Sequence, residues 1–271
     1  MSDVKIEENM VIGKGGDRDL MVDIIKPGNV SGPVPGILFL PGGGWRTADR
    51  TPLKERYGIG LANHGYVFVA GEYRVMDDAP WPAQIQDVKA SIRWMRANAT
   101  NLGIDPSLIV VAGKSAGGHL ALLAAGTQDV KEFEGDGGNP NVSSQVAAVV
   151  GVSPVSTVVD RAKDPGFEPM FGKDPSDALV TAASPVSYAG ANYPPALFLH
   201  GTSDDRVDHS TTMVMYQKLE NAGVPVDLHL FAGQDHFFDR EPHFAQAVID
   251  AMALFIRRYV PVPVKEAVAA S

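Results

Sequence analysis

The stretch Leu108-Ile109-Val110-Val111-Ala112-Gly113-Lys114-Ser115-Ala116-Gly117-Gly118-His119-Leu120-Ala121-Leu122-Leu123-Ala124-Ala125 decides the fold. Its first five residues form a short apolar run of the kind that fills a strand buried on both faces. His119 to Ala125 reads as the start of a helix. Between them, Gly113-Lys114-Ser115-Ala116-Gly117 fits G-x-S-x-G, the tight strand-to-helix turn that holds a Ser hydroxyl proud of a parallel sheet. The two glycines remove side chains where neighbouring backbones must approach. The helix start behind Ser115 aims N–H groups at any anion that develops there. A Gly-rich turn with a Ser N-cap has the same letters. Ser115 is therefore a candidate nucleophile whose standing depends on partners further along the chain.

Outward from this turn, β-rich apolar runs alternate with helix-period segments. Residues 22–25, 36–40, 67–70, 147–152, 196–199 and 226–231 read as strands. Residues 83–98 carry Val88, Ile92 and Met95 at spacings of four and three, and residues 211–221 form a further helix. Residues 244–259 place Val248, Met252, Phe255 and Tyr259 on one stripe. Such alternation predicts an α/β fold with a mostly parallel sheet covered on both faces, and ligands bound outside the carboxyl ends of its strands. Residues 153–193, rich in Pro, Gly, Asp and Ser, read as loops and short helices. Together with the N-terminal region they are expected to form a modest cover. The whole chain, 1–271, is expected to be a single domain, with residues 261–271 as a flexible tail.

Bulk composition narrows the partners. The chain has 45% hydrophobic and 20% charged residues, an ordinary globular balance. Its formal charge is −9 and no Lys/Arg block stands out, which argues against nucleic acid and anionic membrane as partners. With no cysteine, disulfides, thiolate catalysis and thiolate metal sites are excluded. The start, MSDVKIEENM, lacks the apolar region of a signal peptide, and a cytoplasmic protein is expected.

A Ser hydroxyl needs a base, and the base an orienting carboxylate. In the chain order Ser, acid, His, the base lies late. His64 precedes Ser115, and His119 reads as a packing residue in the helix after it. His229 sits inside a strand, while His209 and His243 head helices. His236 follows the last strand across the short loop Ala232-Gly233-Gln234-Asp235, which puts its imidazole at the same sheet edge as Ser115. The acid should follow the preceding strand, where Asp204, Asp205 and Asp208 compete. Asp204 comes first after the turn and is the candidate. Asp205 is expected to face solvent or pair with Arg206, and Asp208 to support the loop or cap the next helix.

The strand 36–40 ends in Pro41-Gly42-Gly43-Gly44-Trp45. Three glycines free the backbone to turn N–H groups inward, and a tetrahedral oxyanion needs two or three such donors. Gly42 and Gly43, with the N–H of Ala116, are the candidate oxyanion hole. Trp45 and Phe237 are candidate substrate-binding residues. The triad chemistry needs no metal or cofactor.

These motifs together resemble the α/β-hydrolase superfamily, specifically its bacterial feruloyl-esterase-like and hormone-sensitive-lipase-like serine carboxylesterases. The likeness runs from about Val22 to Tyr259. It rests on PGGGW, EYR at Glu72–Arg74, WPAQIQDVKASIRWMRANA from Trp81, GIDPSLIVVAGKSAGGHLAL, EFEGDGG, SPVSY, HGTSDDRVD and AGQDHFF. The resemblance implies a triad that falls on Ser115, Asp204 and His236, with oxyanion donors at Gly42 and Gly43. Two positions depart from it. Pro41 stands where the family usually has His, so the bracing of the glycine loop must come from elsewhere. Lys114 stands where an acidic or uncharged residue is common, and is expected to alter charge at the mouth of the site. The resemblance implies hydrolysis of small carboxylic esters, short-acyl or small aromatic. An amidase or formamidase on the same scaffold, or a non-catalytic binding homologue, are the alternatives.

Overall fold

The computed structural model describes residues 4–28 and 32–261. The expected tail at 261–271 lies, beyond Pro261 itself, outside the described residues. Eight strands form one sheet in the order β1-β2-β4-β3-β5-β6-β7-β8. They are β1 (Lys5–Gly15), β2 (Arg18–Lys26), β3 (Val34–Leu40), β4 (Val67–Gly71), β5 (Ile104–Lys114), β6 (Ala148–Val152), β7 (Ala196–Gly201) and β8 (Val226–Phe231). The pairings β1·β2 and β2·β4 are antiparallel and the other five are parallel. This is the α/β-hydrolase fold. Strand β1 is the chief addition to the sequence expectation. The N-terminal region joins the sheet as an edge strand instead of covering the site. Eight of its eleven residues, Lys5 to Val11 and Lys14, are exposed, so it carries no buried apolar run.

The helices are α1 (Ile59–Asn63), α2 (Ala83–Ala97), α3 (Ala99–Leu102), α4 (Ala116–Gly126), α5 (Val159–Ala162), α6 (Glu168–Phe171), α7 (Asp177–Ala182), α8 (His209–Asn221) and α9 (Pro242–Tyr259). Two apolar layers sandwich the sheet. On one face Ile85, Val88, Ile92 and Met95 of α2 and Leu120 to Ala125 of α4 pack on Leu38, Val111 and Val149. On the other, Val248, Met252, Phe255 and Ile256 of α9 pack with Leu61 of α1 on Phe39, Val110 and Val150. Helix α4 is buried from Ala116 to Ala125, which is why its sequence is apolar all round and carries no amphipathic stripe. Among the described residues, no helix is long and apolar enough to cross a membrane.

Strand order positions the site. From β3 the chain moves outward to β4, then returns to place β5 on the other side of β3, so the carboxyl ends of β3 and β5 form a switch point where ligands of such sheets bind. The register pairs Leu40 with Gly113 and so brings the glycine loop beside Lys114 and Ser115. Gly201 pairs with Phe231, which aligns the loops after β7 and β8. Residues 153–193, built from α5, α6, α7 and single 3-10 turns, lie over this end and lend Val155, Arg161 and Phe167 to the cleft.

Candidate active site

Ser115 sits between β5 and α4 at φ 52°, ψ −117°, a sparsely populated conformation for a residue with a side chain. Its N–H donates to the Val152 carbonyl at 2.9 Å and its carbonyl accepts from His119 N–H at 2.9 Å, so the strained turn is tied at both ends. A Cβ on Gly117 would run into the carbonyl oxygens of Leu40 and Pro41, and one on Gly113 into that of Gly117. Both glycines of the motif are thus required by close backbone approach.

The structure brings the three catalytic candidates together. Ser115 Oγ lies 3.0 Å from His236 Nε2, and His236 Nδ1 lies 2.7 Å from Asp204 Oδ2. With Nδ1–H donating to the carboxylate, Nε2 is left as the acceptor for the Ser hydroxyl. The Asp204 side chain is fully buried. Burial alone would raise its pKa, but hydrogen bonds from His200, His236 and the N–H groups of Val207 and Arg206 hold it well below the usual carboxylate range. Asp204 is therefore an anion whenever His236 works. Burial lowers the pKa of His236, and the charge on Lys114 lowers it further against the opposing bond to Asp204. The imidazole is consequently neutral at neutral pH, the form a general base needs. Asp205 is exposed, and Asp208 caps α8 by accepting from Ser210 N–H at 2.8 Å.

His200 is a residue that sequence reasoning missed. It is wholly buried, and Nε2 is shared between Asp204 Oδ2 at 3.1 Å and the Val207 carbonyl at 3.0 Å. Both partners accept, so Nε2 carries a proton, while Nδ1 shares a 3.0 Å hydrogen bond with the Thr212 hydroxyl. His200 thus fixes Asp204 from behind. Its position at the end of β7, one residue before the turn that holds Asp204, was the available signal.

The glycine loop faces the Ser. A Cβ on Gly42 would stand 3.3 Å from Ser115 Cβ, which measures how closely the loop approaches. Gly43 adopts φ +132°, and a side chain there would collide with Thr47. Among the described residues, the N–H groups of Gly42, Gly43 and Ala116 donate to no other backbone group. The start of the loop is braced by Tyr73, whose hydroxyl donates to the Pro41 carbonyl at 3.0 Å. The Gly43 carbonyl accepts from Arg46 N–H at 3.0 Å and Thr47 N–H at 3.3 Å.

Lys114 differs from expectation. Its side chain does not extend to the mouth but is buried under His236, donating to the His236 carbonyl and to Ser153 Oγ at 3.1 Å. It pairs with Asp239 at 2.9 Å, and Asp239 in turn accepts from the Tyr57 hydroxyl at 2.5 Å. The physical reason is strand alternation, since Lys114 ends β5 with its side chain opposite to that of its neighbour.

Ser115, His236, Gly42 and Gly43 line a cleft of about 540 Å³. Phe237 is half-buried on its wall, edge-on to His236 at 5.1 Å between ring centroids. Trp45 borders the cleft too, but its side chain is 1% exposed and packs against His119 and Phe167. It is mainly framework.

Comparison with known proteins agrees with this architecture. The BD-FAE family model matches residues 22–219. The chain belongs to the BD-FAE family. Among solved structures, this BD-FAE chain is similar to a truncated carbohydrate esterase from gut microbiota, with TM-score 0.83 and 26% identity over 94% of this chain and 96% of that one. It is also similar to a propionate-bound thermophilic esterase from Thermogutta terrifontis, with TM-score 0.80 and 28% identity over 97% and 96%. The probable carboxylic ester hydrolase LipM of Mycobacterium tuberculosis is 34% identical over 66% of this chain and 43% of its own length. This chain spans about half the length of the curated relatives it matches.

Proposed function

We propose that this BD-FAE member is a serine carboxylesterase that hydrolyses small esters through an acyl-enzyme on Ser115. The observation that carries the reading is the hydrogen-bonded relay Ser115–His236–Asp204 at a strained turn beside the glycine loop, whose Gly42 and Gly43 N–H groups donate to no other backbone group among the described residues. His236 takes the Ser115 proton as Oγ attacks the ester carbonyl, and Asp204 stabilises the resulting imidazolium. The N–H groups of Gly42, Gly43 and Ala116 receive the oxyanion, each worth about 3–4 kcal/mol at the transition state. Collapse expels the alcohol, protonated by His236. Water, deprotonated by the same imidazole, then attacks the acyl carbonyl and releases the acid and Ser115.

A cleft of about 540 Å³ suits a short-acyl or small aromatic ester better than a triglyceride. The propionate-bound state of the Thermogutta terrifontis esterase supports short acyl groups by likeness. The test is a panel of 4-nitrophenyl esters of rising acyl length and a matching anilide, assayed with the parent and Ser115→Ala. Turnover greatest at short chains and abolished in Ser115→Ala is expected. Turnover that persists in Ser115→Ala, or turnover of the anilide alone, overturns the reading.

A further inference from the structure

The chain carries 32 acidic residues against 23 basic ones, yet the cleft at Ser115 has the opposite sign. Arg46, Arg56, Lys114, Arg161, Arg206 and Arg240 line it, and among the described residues Asp49 is the one carboxylate in its wall. Lys114 and Arg56 are answered by Asp239, at 2.9 and 3.7 Å. The remaining four guanidinium groups have no carboxylate within 4.0 Å among the described residues.

These four are held in place by neutral groups. Arg206 and Arg240 both lie on the ring of Phe237, at 5.1 and 4.0 Å from its centroid. Arg161 donates to the Arg206 carbonyl at 2.6 Å, which ties the cover to the loop that carries Asp204. Arg46 lies 5.3 Å above the Phe167 ring and donates to the Gly166 carbonyl at 2.5 Å. Aromatic faces and carbonyls orient guanidinium groups without neutralising them. Four like charges around one concave site repel one another, and low-dielectric walls focus their field into the cleft. An anionic ligand removes that repulsion and matches the planar donor forks.

We propose that the ester hydrolysed at Ser115 bears a carboxylate, bound by the arginines that flank Phe237 and the cover. The inference rests on the esterase reading for the chemistry of the bond broken, but anion recognition can be measured without it. Ser115→Ala protein is titrated by calorimetry with two matched pairs. One is 4-acetoxybenzoate against 4-acetoxybenzamide, with the charge on the alcohol side. The other is the 4-nitrophenyl monoester of glutaric acid against its terminal amide, with the charge on the acyl side. The anionic member of at least one pair should bind about tenfold tighter than its neutral isostere. That preference should shrink severalfold on adding Arg206→Gln and Arg240→Gln, or Arg161→Gln, and should fall with salt. A preference under about threefold in both pairs, or one that every arginine substitution leaves unchanged, overturns the proposal. Parent turnover of the same compounds separates the two readings. Neutral esters hydrolysed without anion preference sink the inference and keep the esterase. Anion-selective binding with no turnover does the reverse.

Discussion

The Tyr73 hydroxyl donates a 3.0 Å hydrogen bond to the carbonyl of Pro41. Tyr73 is fully buried, and burial pushes its pKa well above the ordinary value of a tyrosine, so it remains a donor at every working pH. The bond links the segment after β4 to the first residue of the glycine loop, where proline has no N–H of its own to contribute.

Tyr73→Phe removes this brace and leaves a buried carbonyl unpaired. We expect a stability loss of about 1–3 kcal/mol in denaturant melts. We also expect a larger loss in kcat than change in KM, because misplaced Gly42 and Gly43 donors weaken the transition state selectively. An unchanged kcat with raised KM would place the loop in ground-state binding instead.

Lys114→Met breaks the buried pair with Asp239 and leaves that carboxylate the longer 3.7 Å contact to Arg56 and the bond from the Tyr57 hydroxyl. Removing one partner of such a pair costs about 3–5 kcal/mol. The double variant Lys114→Met/Asp239→Asn should recover part of that loss, since no uncompensated charge is left buried. Chemical denaturation of the two variants measures this. A double variant no more stable than the single one contradicts the assignment.

The pair was not legible from sequence. Lys114 reads as a loop-end charge because nothing local shows that strand alternation turns it inward toward Asp239, 125 residues later. The same holds for the arginines of the cleft, which lie at 46, 56, 161, 206 and 240 and form no block. What could be read were features with local signatures. The strand-turn-helix around Ser115, the glycine run and the loops after β7 and β8 each announce themselves within ten residues. The order of those strands places them at one edge. Strand β1 escaped because an exposed edge strand needs no apolar alternation, and His200 because its own strand looked complete without a role for it.

Acid should act on the site and the fold separately. With His236 as the proposed base, the rate depends on its neutral form, and its pKa lies below the ordinary 6.5. The acid limb of kcat/KM should therefore have its midpoint below 6.5 and, since Lys114 depresses that pKa, should move upward in Lys114→Met. Stability has a different sensor. His119 is wholly buried, Nε2 donates to the Ala183 carbonyl at 2.7 Å, and burial pushes its pKa down to about 4. The unfolded chain then binds the proton first, so stability falls as pH drops from about 6.5 toward 4, by about 3 kcal/mol in all. Denaturant midpoints measured across that range should be flatter in His119→Gln. Equal slopes would remove His119 as the cause.

Ser115 is the proposed nucleophile on which the whole mechanism turns. The most direct measurement is to expose the native protein to diethyl 4-nitrophenyl phosphate and locate the adduct by peptide mass spectrometry. One diethylphosphoryl group on Ser115, formed in step with loss of esterase activity and absent in His236→Ala over the same time, is the predicted result. Loss of activity with the adduct on another residue, or full activity with Ser115 modified, would contradict it.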